Sequence, residues 1–225
     1  MNGPGESATA AKILGAVVEI VESDGYDAVQ LRTVAKRARV SLTTIYQHYS
    51  NRDALILAAV EAWMAANSYT DLASPPPDEP LAHGLMRLIE CVFQPWERSP
   101  RMAAAFYYAR VTPGGHRLDS QGFDAVVPAA AELLDGLDPD YVADIALVMI
   151  NLCYAMVGRL VDGSADVPTI LSSIERVLHR LTSDNSQLAV RRPPPGGAAG
   201  GLDFAQLSPY TPRLSPQPSG AAPSE

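Results

Sequence analysis

Large apolar residues recur at helical spacing near the start of the chain. Ile13, Leu14, Val17, Val18, Ile20 and Val21 form a stripe that stops at Asp24-Gly25, where glycine supplies a left-handed C-terminal residue. Leu55, Ala59 and Trp63 fall at i, i+4 and i+8 on a helix that Ser50 or Asn51 can cap, and Ser74-Pro75-Pro76-Pro77 breaks the chain after it. Leu81, Leu85, Leu88, Ile89, Val92 and Trp96 make the next stripe, closed by Pro95 and Pro100. A shorter helix is predicted from Arg101 to Val111, and another from about Ser120 to Leu134 with a kink at Pro128. Asp138-Pro139 is a cap followed by proline at the first helical position. It opens a helix that is apolar on nearly every side from Ile145 to Val157, and such a helix belongs at the centre of the fold or at a subunit interface. The last stripe, after Pro168, carries Ile170, Leu171, Ile174, Val177, Leu178 and Leu181. No segment alternates as a strand does, so the predicted class is all-α.

Residues 191–225 differ in kind, with eight of the nineteen prolines, five glycines and few large apolar side chains, which reads as a disordered Pro/Gly-rich tail beginning at 184. The rest, with 47% apolar and 19% charged residues over the whole chain, suffices for a substantial core. The longest charge-free apolar run, Ile145 to Gly158, falls short of the ~18 residues a membrane span needs. The opening MNGPGESATA lacks a basic start and an apolar segment, so a soluble, cytoplasmic protein is expected. Cys91 and Cys153 form no CxxC pair and read as buried core thiols, not a disulfide framework or a metal site.

A net charge of −8 argues against a nucleic-acid partner until its distribution is considered. Residues 1–60 hold six basic and six acidic groups, so the excess acid lies entirely beyond them. Between Arg32 and Arg52 stand five basic residues and no acidic one, a footprint that attracts a phosphate backbone.

Function concentrates in that stretch, Val29 to Leu55. Leu31, Val34, Ala35 and Ala38 give the inward face of a short helix, Arg39-Val40 leaves room for a tight turn, and Ser41 can cap a second short helix containing Ile45. Two such helices make a helix-turn-helix. Away from Ile45 the second presents Leu42, Thr43, Thr44, Tyr46, Gln47 and His48, groups suited to phosphates or base edges.

The run Val34-Ala35, Ala38, Val40-Ser41, Thr44-Ile45-Tyr46, His48-Tyr49, Asn51-Arg52-Asp53 and Leu55 resembles the DNA-binding region of the TetR family of bacterial transcriptional regulators over residues 10–56. The resemblance implies an N-terminal three-helix domain over 9–50 behind a flexible arm, 1–8. It also implies an effector-binding and dimerisation domain over 51–183. The family usually has glycine where Arg39 stands, so arginine there either accepts strain of about 1 kcal/mol or adopts another turn. Thr43 replaces another common glycine, and Leu42 stands where a basic residue is frequent; Leu42 is suited instead to a thymine methyl group.

By matching position, Ser41, Thr44, Tyr46, His48 and Arg52 are expected to position phosphates, with Arg32 and Thr33 as further backbone contacts. Gln47 and Thr43 are the expected base readers, and Tyr49 is expected in the core. The family implies a homodimer through residues 139–162 and 167–183, a pseudo-palindromic operator with half-sites about 34 Å or a multiple apart, and repression relieved when a small ligand shifts the dimer to a non-binding spacing. An apolar pocket is expected from the adaptable side chains Met86, Ile89, Phe93, Trp96, Met102, Phe106, Tyr107, Met149 and Met156. The segment SPRMAAAFYYARV is also similar to the corresponding helix of the KstR-like subgroup, implying a lipid- or sterol-derived effector. An enzyme is the competing class, but His48, His83, His116, His179 and the two cysteines fall in no catalytic or metal-binding motif. No cofactor is implied. A helical adaptor that has lost specific DNA binding is the remaining alternative.

Overall fold

The computed structural model describes residues 4–183 apart from 71, 73–75, 77 and 78. The expected tail, 184–225, lies outside the described residues. Within them the chain forms α1 (Pro4–Asp24), a 3-10 turn (Tyr26–Ala28), α2 (Leu31–Ala38), α3 (Leu42–His48) and α4 (Arg52–Asn67). It continues with α5 (Leu81–Arg98), α6 (Pro100–Arg110), α7 (His116–Leu134), α8 (Pro139–Val161) and α9 (Val167–Ser183). No strand occurs among the described residues.

Capping chemistry places most of these ends. Gly25, at φ 93°, closes α1 by donating to the carbonyls of Ile20 and Val21. Asn51, not Ser50, caps α4 by accepting from Ala54 N at 2.8 Å. Asp138 accepts from the amides of Asp140 and Tyr141 ahead of α8, with Pro139 at the first turn. Three boundaries differ from the sequence reading. Helix α1 reaches back to Pro4, so residues 4–8 are its first turns and not an arm; proline needs no partner for a missing N–H there. Helix α5 runs through Pro95 to Arg98, because the loss of one amide does not outweigh burial of Phe93, Pro95 and Trp96. Helix α7 begins at His116, with Gly115 N accepted by Thr112 O, so the turn after Pro113 is tighter than four residues of loop.

One core runs the length of the molecule. Ile13, Val17 and Ile20 of α1 meet Val34 of α2, Ile45 of α3 and Leu55 of α4, all with no exposed surface. Further along, Trp96, Met102, Leu118, Ile145 and Ile170 extend the same apolar interior through α5 to α9. Helix α4 packs on α1 at one end and on α6 and α7 at the other, so it joins the two parts.

Helix α8 is long and apolar enough to cross a membrane by length and composition, with mean hydropathy 1.7 over its richest window. The charge-free count stopped at Asp144 and Arg159, whereas a full window tolerates isolated charges. Only a third of that window is buried, and Leu147 and Val148 remain exposed. This helix therefore packs on α6 and α9 while presenting a second apolar face to the outside.

Candidate functional site

The short helices α2 and α3 are joined by Arg39, whose backbone takes the left-handed conformation at φ 56° and ψ 43°. It is the one non-glycine residue with positive φ among the described residues. The turn is held by two capping bonds, from Val40 N to Ala35 O at 3.0 Å and from Arg39 N to Lys36 O at 3.3 Å. Of the two outcomes that the sequence leaves open at Arg39, the chain adopts the strained one. Arg39→Gly is therefore expected to stabilise the protein by about 1 kcal/mol in denaturant titrations.

Ser41 caps α3: its Oγ accepts from Thr44 N at 3.0 Å and lies 2.8 Å from Thr44 Oγ1. Both hydroxyls are thus committed first to fixing the helix start. Ile45 is fully buried and pins α3 to α1 and α2. Thr43, Tyr46 and Gln47, at i, i+3 and i+4, share the opposite face and are exposed, Tyr46 by 54%. Leu42, Thr44 and His48 are half-buried on the flanks, and the His48 ring lies 6.1 Å from that of Tyr49, which is half-buried against the core. Arg32 and Thr33 open α2 and are exposed, as are Lys36, Arg37 and Arg39. Arg37 is 3.9 Å from Glu19, while Arg32, Lys36 and Arg39 have no ion-pair partner among the described residues.

Arg52 stands apart from this surface. Its Nε donates to Val29 O at 2.6 Å and an Nη to Tyr26 O at 2.7 Å; the guanidinium lies 4.7 Å from the Tyr26 ring centroid and its other Nη 3.6 Å from Asp53. Two arms of the fork, Nε and one Nη, are thus occupied in binding α4 to the turn before α2, a position that sequence reading assigned only to phosphate. The partners are backbone carbonyls more than twenty residues away, so no local pattern announces them.

The same turn touches the second part of the molecule. Tyr26 and Tyr108 of α6 have ring centroids 5.4 Å apart. At the start of α6, Ser99 Oγ donates to Glu22 Oε1 at 2.9 Å, and Arg101 donates to the carbonyls of Glu22 and Ser23 at the end of α1. Those are carbonyls that a helix terminus leaves unpaired, where a cation is also favoured. None of Ser99, Arg101, Tyr26 or Tyr108 stood out in the sequence as a junction.

Helices α5, α7 and α8 line a partly open cavity of about 210 Å³, with Phe106 of α6 and Met64 of α4 at its sides. Of the expected pocket residues, Ile89, Phe93, Trp96, Phe106 and Met149 line it. The other four do not. Met86 faces a separate, polar groove between α5 and α9; Met102 is packed in the core at 1% exposure. Tyr107 is 40% exposed beside Gly158, and Met156 packs on the core away from the cavity. On each helix the wall is built by whichever residues face inward, and composition alone does not give that phase. The wall includes seven residues of α7, among them Phe123, Val126 and Val127, where the sequence suggested none. Cys153 is also in it, and burial pushes its thiol up to about 12.

Beside Tyr154 of the wall lies a buried charge pair. Arg110 Nε donates to Asp119 Oδ1 at 2.6 Å, and the Tyr154 hydroxyl donates to the same oxygen at 2.6 Å. The guanidinium sits over the Tyr154 ring, 3.9 Å from its centroid. Arg110 ends α6 and Asp119 lies in the first turn of α7, so each charge also suits its helix terminus. Burial, and next the carboxylate of Asp119, raise the Tyr154 phenol far above its ordinary value and keep it a donor.

A capped, outward-facing second helix on a basic helix-turn-helix, attached to a second helical domain, defines a class of DNA-binding protein. Comparison with known proteins agrees. Residues 13–59 match the family model of bacterial regulatory proteins of the tetR family, and residues 79–181 match that of the tetracyclin repressor-like C-terminal domain, together two thirds of the chain. The chain belongs to the TetR family of DNA-binding transcriptional regulators, a non-enzymatic family. It is 41% identical over 58 residues to a DNA-binding transcriptional repressor TetR of Mycobacteroides abscessus, covering 26% of this chain and 30% of that one. It is 39% identical over 49 residues to the HTH-type transcriptional repressor KstR of Mycolicibacterium smegmatis, covering 22% and 24%. The chain thus matches less than a third of the length of these relatives. In fold it is similar to a TetR transcriptional regulator from Rhodococcus sp. RHA1, with a TM-score of 0.65 and 18% identity over 81% of this chain and 98% of that one.

Proposed function

We propose that the protein is a homodimeric, cytoplasmic, sequence-specific repressor whose α3 enters the major groove and which a small apolar ligand releases from its operator. The observation that carries the reading is the face of α3: Thr43, Tyr46 and Gln47 exposed together, opposite the buried Ile45, on a helix fixed by the Ser41 cap. Gln47 can bond adenine at two points, and Thr43 suits either a base edge or a thymine methyl group. Ser41, Thr44 and His48 border that face as phosphate contacts, with Arg32, Thr33, Lys36 and Arg39 supplying charge from α2 and the turn. Leu42 meets a sugar or a thymine methyl group. The functional division falls between α3 and α4, with the residues up to 50 reading DNA and residues 51–183 binding effector and partner.

One helix-turn-helix makes few contacts, and the exposed apolar face of α8 next to α9 supports pairing of two copies. The relatives' names favour repression. Release by ligand is supported by the path from the cavity: Phe106 lines it, Tyr108 packs against the Tyr26 ring, and Arg101 holds the end of α1, all on α6. A ligand that prefers one placement of α6 thereby biases the spacing of the two reading helices. The apolar wall supports an apolar effector; a lipid- or sterol-derived one rests on the resemblance of α6 alone.

Footprinting on the protein's own upstream DNA tests this reading. Two protected half-sites about 34 Å or a multiple apart are expected, lost in Tyr46→Ala/Gln47→Ala. Protection of a single short site, or none, would exclude a dimeric operator binder and leave the adaptor.

A further inference from the structure

Helix α8 carries on its outer side a stripe that no described residue covers. Asp144, Leu147, Val148, Asn151, Ala155 and Arg159 follow one another at short helical intervals, so they share one face, and all of them are exposed. The middle of the stripe is apolar, with Leu147 49% and Val148 39% exposed, and charges of opposite sign stand at its two ends. Neither Asp144 nor Arg159 forms an ion pair among the described residues. Asn151 folds its side-chain amide back onto its own helix, donating to Leu147 O at 2.8 Å, so covering this face would leave that bond in place.

The order of these residues decides what fits them. Val148 and Ala155 lie equally far on either side of a point between Asn151 and Leu152, and so do Asp144 and Arg159. Laid antiparallel on a second copy about that point, the stripe sets Val148 over the partner's Ala155, a branched side chain against a small one, and Asp144 against the partner's Arg159. Two-fold symmetry makes each of these contacts twice. A parallel pair would instead bring Asp144 against the partner's Asp144, where like charges repel. The charged ends stand about 22 Å apart along the helix, so the antiparallel pair has an apolar centre between two charged rims, the usual anatomy of a protein interface. Lipid fits worse, because it would strip both charges of water and pair neither.

We infer that α8 pairs antiparallel with α8 of a second copy, in the register that sets Asp144 against the partner's Arg159 and places the two-fold axis between Asn151 and Leu152. This rests on the homodimer of the proposed function and adds to it the register and the residues that set it. The apolar centre supplies affinity, and the charge pairs select this register over a slipped or parallel one. The position of the axis in turn fixes how far apart the two α3 helices stand.

Sedimentation equilibrium of the full chain without DNA tests the register by charge reversal at these exposed positions. The wild type is expected to dimerise. Asp144→Arg and Arg159→Asp each bring like charges face to face twice per dimer, and each is expected to weaken dimerisation at least about tenfold. D144R/R159D restores opposite charges and is expected to return to within about threefold of the wild type, and an equimolar mixture of the two single variants to form heterodimers of similar affinity. Recovery of either kind cannot arise from a folding defect, since both carry the same substitutions as the weakened proteins. Single reversals that leave the dimer constant unchanged, or a double variant no better than the single ones, would overturn the register while the homodimer stands. A wild type that stays monomeric at every concentration would overturn the homodimer and the register together.

Discussion

Arg110→Ala lowers the unfolding free energy by about 3–5 kcal/mol, the largest effect expected of any single substitution in this protein. Asp119 is 5% exposed and the Arg110 side chain 14%, so the variant leaves a carboxylate buried with only the Tyr154 hydroxyl to support it. For a folded region of this length the melting temperature is expected to fall by roughly 10 °C. The pair itself contributes far less than its breakage costs, since both ions were desolvated to form it. Arg110→Met/Asp119→Asn, which removes both charges, keeps side-chain volume and leaves the Tyr154 hydroxyl an acceptor oxygen, is therefore expected to recover most of the loss. Calorimetry on the two variants checks this, and equal destabilisation of both would show that the surrounding packing, not the uncompensated charge, sets the cost.

Arg52→Ala is the second. It removes two charge-assisted bonds to the carbonyls of Val29 and Tyr26 together with the contact to the Tyr26 ring, for an expected loss of about 3 kcal/mol in guanidinium titrations. Arg52→Lys is expected to recover little, because an ammonium cannot span two carbonyls with a planar fork. Affinity for DNA falls as the helix-turn-helix loosens, but the slope of log affinity against log salt stays that of the wild type. A phosphate contact would lower that slope by about 0.9 per charge removed, so a drop of that size in Arg52→Ala would restore the role that the motif alone suggests.

Arg52 also marks where sequence reading runs out. Local periodicity located each large helix, and the ends set by Gly25, Asn51 and Asp138 were legible because these residues act on amides or carbonyls within a few residues of themselves, whereas the start of α1, the end of α5 and the start of α7 were not. The outward side of α3 was legible in part: Ile45 sets the inward phase, and of the six residues expected away from it Thr43, Tyr46 and Gln47 are exposed while Leu42, Thr44 and His48 are half-buried. The bonds that join α1 to α6 and Arg52 to the 3-10 turn link distant residues, and nothing in the neighbouring sequence signals them. The cavity fell between these cases. Helical stripes identified which helices are amphipathic, but which apolar residues face a void and which pack solid depends on how four helices meet; hence Met102, core at 1% exposure, and Phe106, in the wall, look alike in sequence. The Arg110–Asp119 pair was hidden because its members lie on different helices, and Tyr154, which donates to the same carboxylate, stands 35 positions further on.

The most direct test of the central claim is fluorescence anisotropy across a salt series, using duplexes from the protein's own upstream region and scrambled controls, with the wild type and Tyr46→Ala/Gln47→Ala. The account predicts tighter binding to the upstream duplex, falling steeply with salt, and a double variant that binds both duplexes equally with the salt dependence little changed. Weak binding of the wild type to both duplexes alike at every salt concentration, unaltered by the two substitutions, would contradict it.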